Sequence, residues 1–338
     1  MIDGFFDISF RMEELSKNGD PLVQLKGSVD WELFRQDLEV IRVKDRKSPA
    51  GRKPFDVVLM FKILVLQSLY NLSDDAIEYQ IRDRLSFMRF LDLSLGNRVP
   101  DAKTIWLFRE QLHEARMVKR LFKRFDRYLN QQGFKAKKGQ IVDASLVSVP
   151  LQRNSREENT RIKEGDAPDD WSTSKRRQKD VTARWSARSH KHAFGYKNHI
   201  SIDADKKFIS DYVVTDAAVH DSRVFGELLD ETNTSRDVWA DSAYRTPRNI
   251  ADLEARGYRE HLQRKGCKHR KLTTWERQGN QTRSRIRCRI EHVFGVQVQI
   301  AGNLILRTIG IARAETKIGL RNPAYNMHRL GKFAPATG

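Results

Sequence analysis

The feature that most restricts the fold is a change of apolar period near Gly139. Before it, hydrophobic residues recur at helical spacing: Val118, Leu121, Phe122, Phe125 and Leu129 fall on one stripe of a helix that Gly133 can end. After it, Gln140-Ile-Val-Asp-Ala-Ser-Leu-Val-Ser-Val-Pro150 is rich in β-branched residues and bounded by Gly and Pro, as a strand is. Such a switch excludes a single helical bundle and a single all-β sandwich. It predicts a helical domain over residues 1–137 and an α/β domain over 138–335.

In the first part, Pro54 opens a helix whose apolar run continues to Leu69. Ser73 caps another that carries Ile77, Ile81 and Leu85, and Pro100-Asp101 leads into Ile105, Phe108 and Leu112. The corner at Asn71 to Ser73 resembles a helix-turn-helix, a shape that any helical bundle also makes. In the second part, a hairpin runs from Gly195 to Ile202, turns through Asp203 to Lys207, and returns from Phe208 to Val214. A helix from His220-Asp221, a strand at Asp237 to Asp241, a helix from Pro247 to Ala255, a short strand at Tyr258 to Leu262 and a long helix from about Arg283 follow. An antiparallel meander followed by βαβ units gives a mixed five-stranded sheet flanked by helices. The polar stretch 151–192 is expected as an insertion or long loop.

Charge narrows the partner. The 338 residues hold 62 Lys and Arg against 44 Asp and Glu, a net +18, which repels itself unless it meets a polyanion. The longest apolar stretch, Val57 to Leu69, is too short to span a bilayer and contains Lys62, which removes the membrane as partner. The N-terminus lacks the basic region and cleavage site of a signal peptide, and two cysteines make no disulfide framework, so a cytoplasmic protein is expected. Half the charge excess lies between Arg259 and Arg289, where eleven Lys and Arg face two acids around Trp275. That composition suits phosphate contact and base stacking.

Three acids occupy positions where chemistry is built. Asp143 lies inside the first strand, where an acid fits poorly, Asp241 ends the fourth, and Glu291 sits on the last helix beside Arg287. Carboxylates around one point repel unless a cation holds them, and hard oxygen ligands suit Mg²⁺ or Mn²⁺. Two such ions support an in-line phosphoryl displacement.

The order of motifs carries a resemblance. Tyr70-Asn-Leu-Ser-Asp74, Arg82-Asp-Arg-Leu-Ser-Phe87, Ile141-Val-Asp143-Ala-Ser and His192-Ala-Phe-Gly-Tyr-Lys-Asn-His199 come first. Val219-His-Asp-Ser222, Ala240-Asp241-Ser-Ala-Tyr244 and Arg287-Cys-Arg-Ile-Glu291-His-Val-Phe-Gly295 follow. From about Leu25 to Leu330 the chain resembles a bacterial insertion-sequence transposase of the DDE class, insertion-sequence-five type, with a ribonuclease H-like catalytic domain. The resemblance implies that Asp143, Asp241 and Glu291 form the metal triad for two Mg²⁺ or Mn²⁺ ions, and that Arg287 orients Glu291 or holds a phosphate. It implies contacts to double-stranded DNA by Lys197, Arg283, Arg285 and Arg289, a homodimer on the element ends, and a nucleoid-associated location. The activity implied is binding of the terminal repeats, strand cleavage and transfer into target DNA.

Two departures stand out. The family has Tyr and Lys where this chain has Ser284 and Val298, so either Gln297, Gln299, Arg307 or Arg313 supplies the missing DNA contact or the activity is weak. Pro323 stands where the family has a helical Leu, so a kink or break is expected there. Rival readings exist. A catalytically silent DNA-binding remnant would be favoured by loss of a carboxylate, and none is lost. A ribonuclease H-like hydrolase of RNA–DNA hybrids or Holliday junctions would not need the helical domain. Cys267, His269, Cys288 and His292 fall outside the usual zinc spacing. His190, His192 and His199 are most simply solvated or packed, and Trp106, Trp185 and Trp239 core or half-buried aromatics.

Overall fold

A computed structural model describes residues 7–42, 53–134, 138–165, 168–188, 191–302 and 304–333. The chain forms two units, Met1–Phe125 with Leu320–Gly338, and Asp126–Gly319. The expected division at 137/138 with an end at 335 therefore shifts. The first unit regains the C-terminal half of the last helix, whose Leu320, Ala324, Tyr325, Met327 and Leu330 are all buried.

The first unit is helical: α1 (Asp7–Lys17), α2 (Pro21–Ser28), α3 (Arg35–Val40), α4 (Val57–Tyr70), α5 (Asp74–Asp83), α6 (Leu85–Phe90) and α7 (Ala102–Glu114), followed by α8 (Met117–Gln131), which the division crosses. Helix starts fall where the side chains direct them. Asp56, Ser73 and Asp101 each accept a backbone N–H of the first turn. The helix expected to carry Ile77, Ile81 and Leu85 stops at Asp83, and Arg84, in extended conformation, separates it from α6. α4 is the core: Met60, Phe61, Ile63, Leu64 and Leu66 have no exposed surface, and Lys62 reaches Asp92 at 2.9 Å. α4 and α5 meet at 104° across residues 71–73. The angle is that of a helix-turn-helix, but α5 begins with Asp74 and Asp75, and Arg109 clamps Asp74 at 2.5 and 2.8 Å. Among the described residues no helix is long and apolar enough to cross a membrane.

The second unit is built on β1 (Gln140–Ser148), β2 (Arg184–Arg188), β3 (Lys191–Asp203), β4 (Ile209–Asp216), β5 (Asp237–Ala240) and β6 (Arg259–Leu262). β1, β3 and β4 form the antiparallel meander, and β5 and β6 add in parallel beside β1. The path β4-β3-β1-β5-β6 is the mixed five-stranded sheet expected of a ribonuclease H-like domain. A sixth strand was not expected. β3 is long enough to pair with β1 through residues 195–203 and with β2 through 191–195. The crossing point is Gly195, where a Cβ would lie 2.2 Å from the Val147 carbonyl oxygen.

The polar stretch 151–192 is correspondingly not a bare loop. It carries α9 (Arg156–Glu164), α10 (Thr173–Gln178) and β2, and its order comes from hydrogen bonds rather than aliphatic burial. Ser155 and Glu158 make a capping box on α9. Buried Asp180 accepts from the Ala183 and Gly310 amides at 3.0 and 3.1 Å and from the Tyr196 hydroxyl at 2.5 Å. Burial, and then that bond to Asp180, push the Tyr196 phenol far above its ordinary range.

Three helices complete the set: α11 (Pro247–Ala255), α12 (Thr274–Ala301) and α13 (Ile311–Gly331). The helix expected from His220 is instead two 3-10 turns, Asp221–Arg223 and Phe225–Leu228. α12 starts nine residues before the expected Arg283, because Thr273 and Glu276 form a capping box inside the basic run. α13 runs unbroken through Pro323. Proline there removes one ladder bond, a cost of about 3 kcal/mol, which the buried side chains around it, each contributing about 1.5–3 kcal/mol, offset.

Candidate active site

Strand alternation sends Val142, Val238 and Ala240 into the core with Phe225, Leu228 and Leu253. Asp143 and Asp241, one position further along, therefore belong to the opposite face, where α12 packs against β1 and β5. The β1–β5 register pairs Gln140 with Val238 and Ile141 with Trp239. Continuing that offset sets Asp143 level with Asp241, the spacing the two acids have in the sequence. Asp143 is 8% exposed, and its Oδ1 accepts from the Ala144 amide at 2.8 Å. Asp241, half-buried just past β5, accepts from the Ala243 amide at 2.8 Å.

Arg287 ties the helix to the sheet. Its Nη1 donates to Asp143 Oδ2 at 2.9 Å and its Nη2 to Glu291 Oε1 at 2.5 Å, one turn further along α12. One guanidinium thus bridges two of the three acids, as a cation between like charges must. Among the described residues no three His, Cys, Asp or Glu side chains gather closely enough to hold a metal. The donor types still suit a hard divalent ion: Asp143 in β1, Asp241 on the turn after the neighbouring β5, and Glu291 tied to Asp143 through Arg287.

The basic segment divides into bound and free charge. Cys267 and Arg270 close a tight turn by paired backbone bonds of 2.9 and 3.1 Å. Arg264 and Arg270 reach back to buried Glu276 at 3.3 and 2.8 Å. The Thr273 amide first, then Arg270 and Arg264, hold that carboxyl below the usual glutamate range. Lys265, Lys268, Lys271, Arg277, Arg285 and Arg289 are exposed. Trp275 is 68% exposed, with the Arg264 guanidinium 5.3 Å from its ring centre. Arg277, Asn280, Gln281, Ser284 and Arg285 line an open groove of about 650 Å³ along α12. Helical spacing carries this line on from Ser284 to Arg287 and Glu291.

The other expected site residues are placed as follows. Arg285 lies in the groove, Arg283 is half-buried, and Arg289 is exposed with one donor on the Ala204 carbonyl at 2.6 Å. Lys197 is only 6% exposed, and its Nζ meets Asp221 at 2.8 Å and the Val219 carbonyl at 2.6 Å. Its charge serves the interior of the domain, where a phosphate cannot reach. Ser284, at the family's Tyr position, accepts from Gln263 Nε2 at 2.6 Å. Gln297 is buried, which leaves exposed Gln299, Arg307 and Arg313 of the four compensating residues considered.

Val298 is 46% exposed, so a longer side chain there reaches solvent. Val298→Lys is expected to change stability by no more than about 0.5 kcal/mol, checked by thermal unfolding. Any change in DNA cleavage by that variant then reports DNA contact alone.

His199 is buried, its Nε2 2.9 Å from the Thr215 hydroxyl, and His190 lies outside the described residues, as does the side chain of His192. Trp239 is buried and stacks on His261 at 4.9 Å, whereas Trp106 and Trp185 are 44% and 49% exposed. Cys267 and Cys288 are free, exposed thiols. Nothing local in the sequence marks Asn249, and Asp221 is marked only by its place in the Val219-His-Asp-Ser222 motif.

A helical unit followed in sequence by a mixed sheet of this order, with Asp143 inside β1 and Asp241 just past the end of β5, is the arrangement expected of a ribonuclease H-like transposase. The family described as "Transposase DDE domain" matches residues 135–327, more than half of the chain, and "Transposase domain (DUF772)" matches residues 10–111. The chain belongs to the DDE transposase family. It is also similar to a piggyBac transposase solved as a synaptic complex with hairpin DNA, at 12% identity over 93% of this chain and 75% of that one, with a TM-score of 0.44.

Proposed function

We propose that this transposase, of the insertion-sequence-five type, binds the terminal inverted repeats of its element as a homodimer, cleaves the DNA strand there and joins the freed 3′-OH to target DNA. The observation that carries this reading is Arg287, which links Asp143 of β1 to Glu291 of α12, with Asp241 on the turn that follows β5, the strand paired with β1. Asp143, Asp241 and Glu291 would hold two Mg²⁺ or Mn²⁺ ions. When bound, such ions polarise the phosphoryl group and lower the proton affinity of an attacking oxygen. Arg287 keeps Glu291 directed at the sheet. Arg277 and Arg285 in the groove, with Arg283 and Arg289, hold phosphates of the element end, and Trp275 offers a stacking face. The test is Mg²⁺-dependent nicking of a labelled duplex that carries the inverted repeats flanking the gene. No nicking of that duplex, against binding alone, would leave only a DNA-binding protein.

Salt dependence checks the footprint. Each phosphate neutralised contributes about 0.9 to the slope of log affinity against log salt. Replacing Arg277, Arg285 and Arg289 together by Gln is expected to lower that slope by roughly 2–3, read by fluorescence anisotropy over a salt series. An unchanged slope would place the DNA on another face.

A further inference from the structure

Asp241 is not held by the sheet. β5 ends at Ala240, so the carboxylate that stands level with Asp143 sits on a turn, where no ladder bond fixes its position. The turn closes on itself: Asp241 Oδ1 accepts from the Ala243 amide at 2.8 Å, and the Asp241 carbonyl accepts from the Tyr244 amide at 3.3 Å. These bonds shape the turn without anchoring it to the domain.

Besides the Arg245–Glu260 pair at 3.0 Å, which ties the end of the turn to β6, a buried anchor comes from α11. Asn249 is 6% exposed, and its Nδ2 donates to the Tyr244 carbonyl at 2.9 Å and to the Ser222 carbonyl at 3.1 Å. Both protons of one buried amide are thereby used, one on the Asp241 turn and one on the segment after β4. The Asn249 backbone is itself fixed, because its amide donates to the Thr246 hydroxyl at 3.2 Å. The segment that Asn249 grips is clamped in turn by Lys197 of β3, through Asp221 and the Val219 carbonyl. Tyr244 has no exposed surface, and its ring lies 5.3 Å from that of Phe225, which follows the same segment. A continuous buried path therefore runs from β3 through residues 219–222 and Asn249 to the turn that carries Asp241.

We propose that Asn249 is a positioning residue for Asp241, with the Lys197–Asp221 pair as the anchor on which it bears. The proposal rests on the reading of Asp241 as a metal ligand. It gives one purpose to three motif segments, 192–199, 219–222 and 240–244, which meet behind the carboxylate rather than at the DNA. Polar groups that orient a ligand-bearing turn govern metal affinity without touching the metal.

The test uses the full chain with Asn249→Ala, and with Leu306→Ala as a control that opens a cavity in the separate cluster of Val147, Phe194 and Ile318. Both are compared with wild type well below their unfolding temperatures. Two quantities are read: hydrogen exchange of the amides in residues 242–245, and Mn²⁺ affinity from the free-ion resonance signal. For Asn249→Ala, exchange in the turn is expected to rise by roughly tenfold, as local opening becomes easier. Mn²⁺ affinity is expected to fall by roughly 10–100-fold. Leu306→Ala should leave both close to wild type. Unchanged exchange in Asn249→Ala overturns the proposal, as does an equal response in both variants, which would make the effect general loosening. If exchange responds as expected but wild type binds no Mn²⁺, the tether stands and the reading of Asp241 as a ligand falls.

Discussion

Asp143→Asn, Asp241→Asn and Glu291→Gln are each expected to abolish strand cleavage, a loss of roughly 10²–10³-fold or more, with DNA binding retained. The two quantities separate because they rest on different groups. Affinity for the duplex comes from lysines and arginines spread over the basic segment, whereas cleavage needs every oxygen donor that holds the metal. Each substitution keeps the shape of the side chain and removes one negative charge, so binding should stay level or tighten slightly. At Asp143 the change also removes one of the two carboxylates held by Arg287, which keeps its bond to Glu291. Nicking of an end-bearing duplex in Mg²⁺ and Mn²⁺, beside anisotropy for binding, measures both. Full Mg²⁺-dependent cleavage by any one variant would remove that residue from the site.

Lys197→Ala is expected to destabilise the protein by about 3–5 kcal/mol, because it leaves the Asp221 carboxylate buried without its counter-charge. The side chains of the pair are 7% and 4% exposed at a separation of 2.8 Å, so water cannot replace the lost ammonium. Replacing both partners, as Lys197→Met with Asp221→Leu, should recover most of that loss, since a well-packed apolar pair is often neutral relative to a buried ion pair. Urea unfolding of the three variants gives the free energies. The salt slope of DNA binding for folded Lys197→Ala should match wild type. A stable Lys197→Ala whose slope drops by about one would return Lys197 to the DNA surface.

The contrast between Lys197 and Arg285 shows where sequence reading stops. Both are cations in motif-bearing segments, and nothing local to either tells which will face solvent. Arg285 lies on a long helix with polar neighbours at helical spacing and remains exposed. Lys197 alternates along a strand that pairs on both sides, and the 3-10 turn carrying Asp221 covers its face. Solvent exposure at position 197 is a property of what packs on the sheet, and that element begins 24 residues away, at Asp221.

The sequence by itself determined the two-part build, most helix starts and the meander with its two parallel strands, and it placed Asp143 inside a strand. Those features follow from local rules: apolar period, the side chains that cap first turns, and the poor fit of an acid inside a strand. Tertiary structure alone decided the sixth strand, the course of residues 151–188, the passage of α13 through Pro323 and the return of its C-terminal half to the first unit. In each case long-range burial or hydrogen bonding outweighed a local signal, as when buried Asp180 joins residues 130 positions apart. The strand pairing on which the proposed site rests is of the same kind. Asp143 and Asp241 are 98 residues apart in the chain, and the strands that lead to them are joined only by the β1–β5 register, which no local pattern encodes.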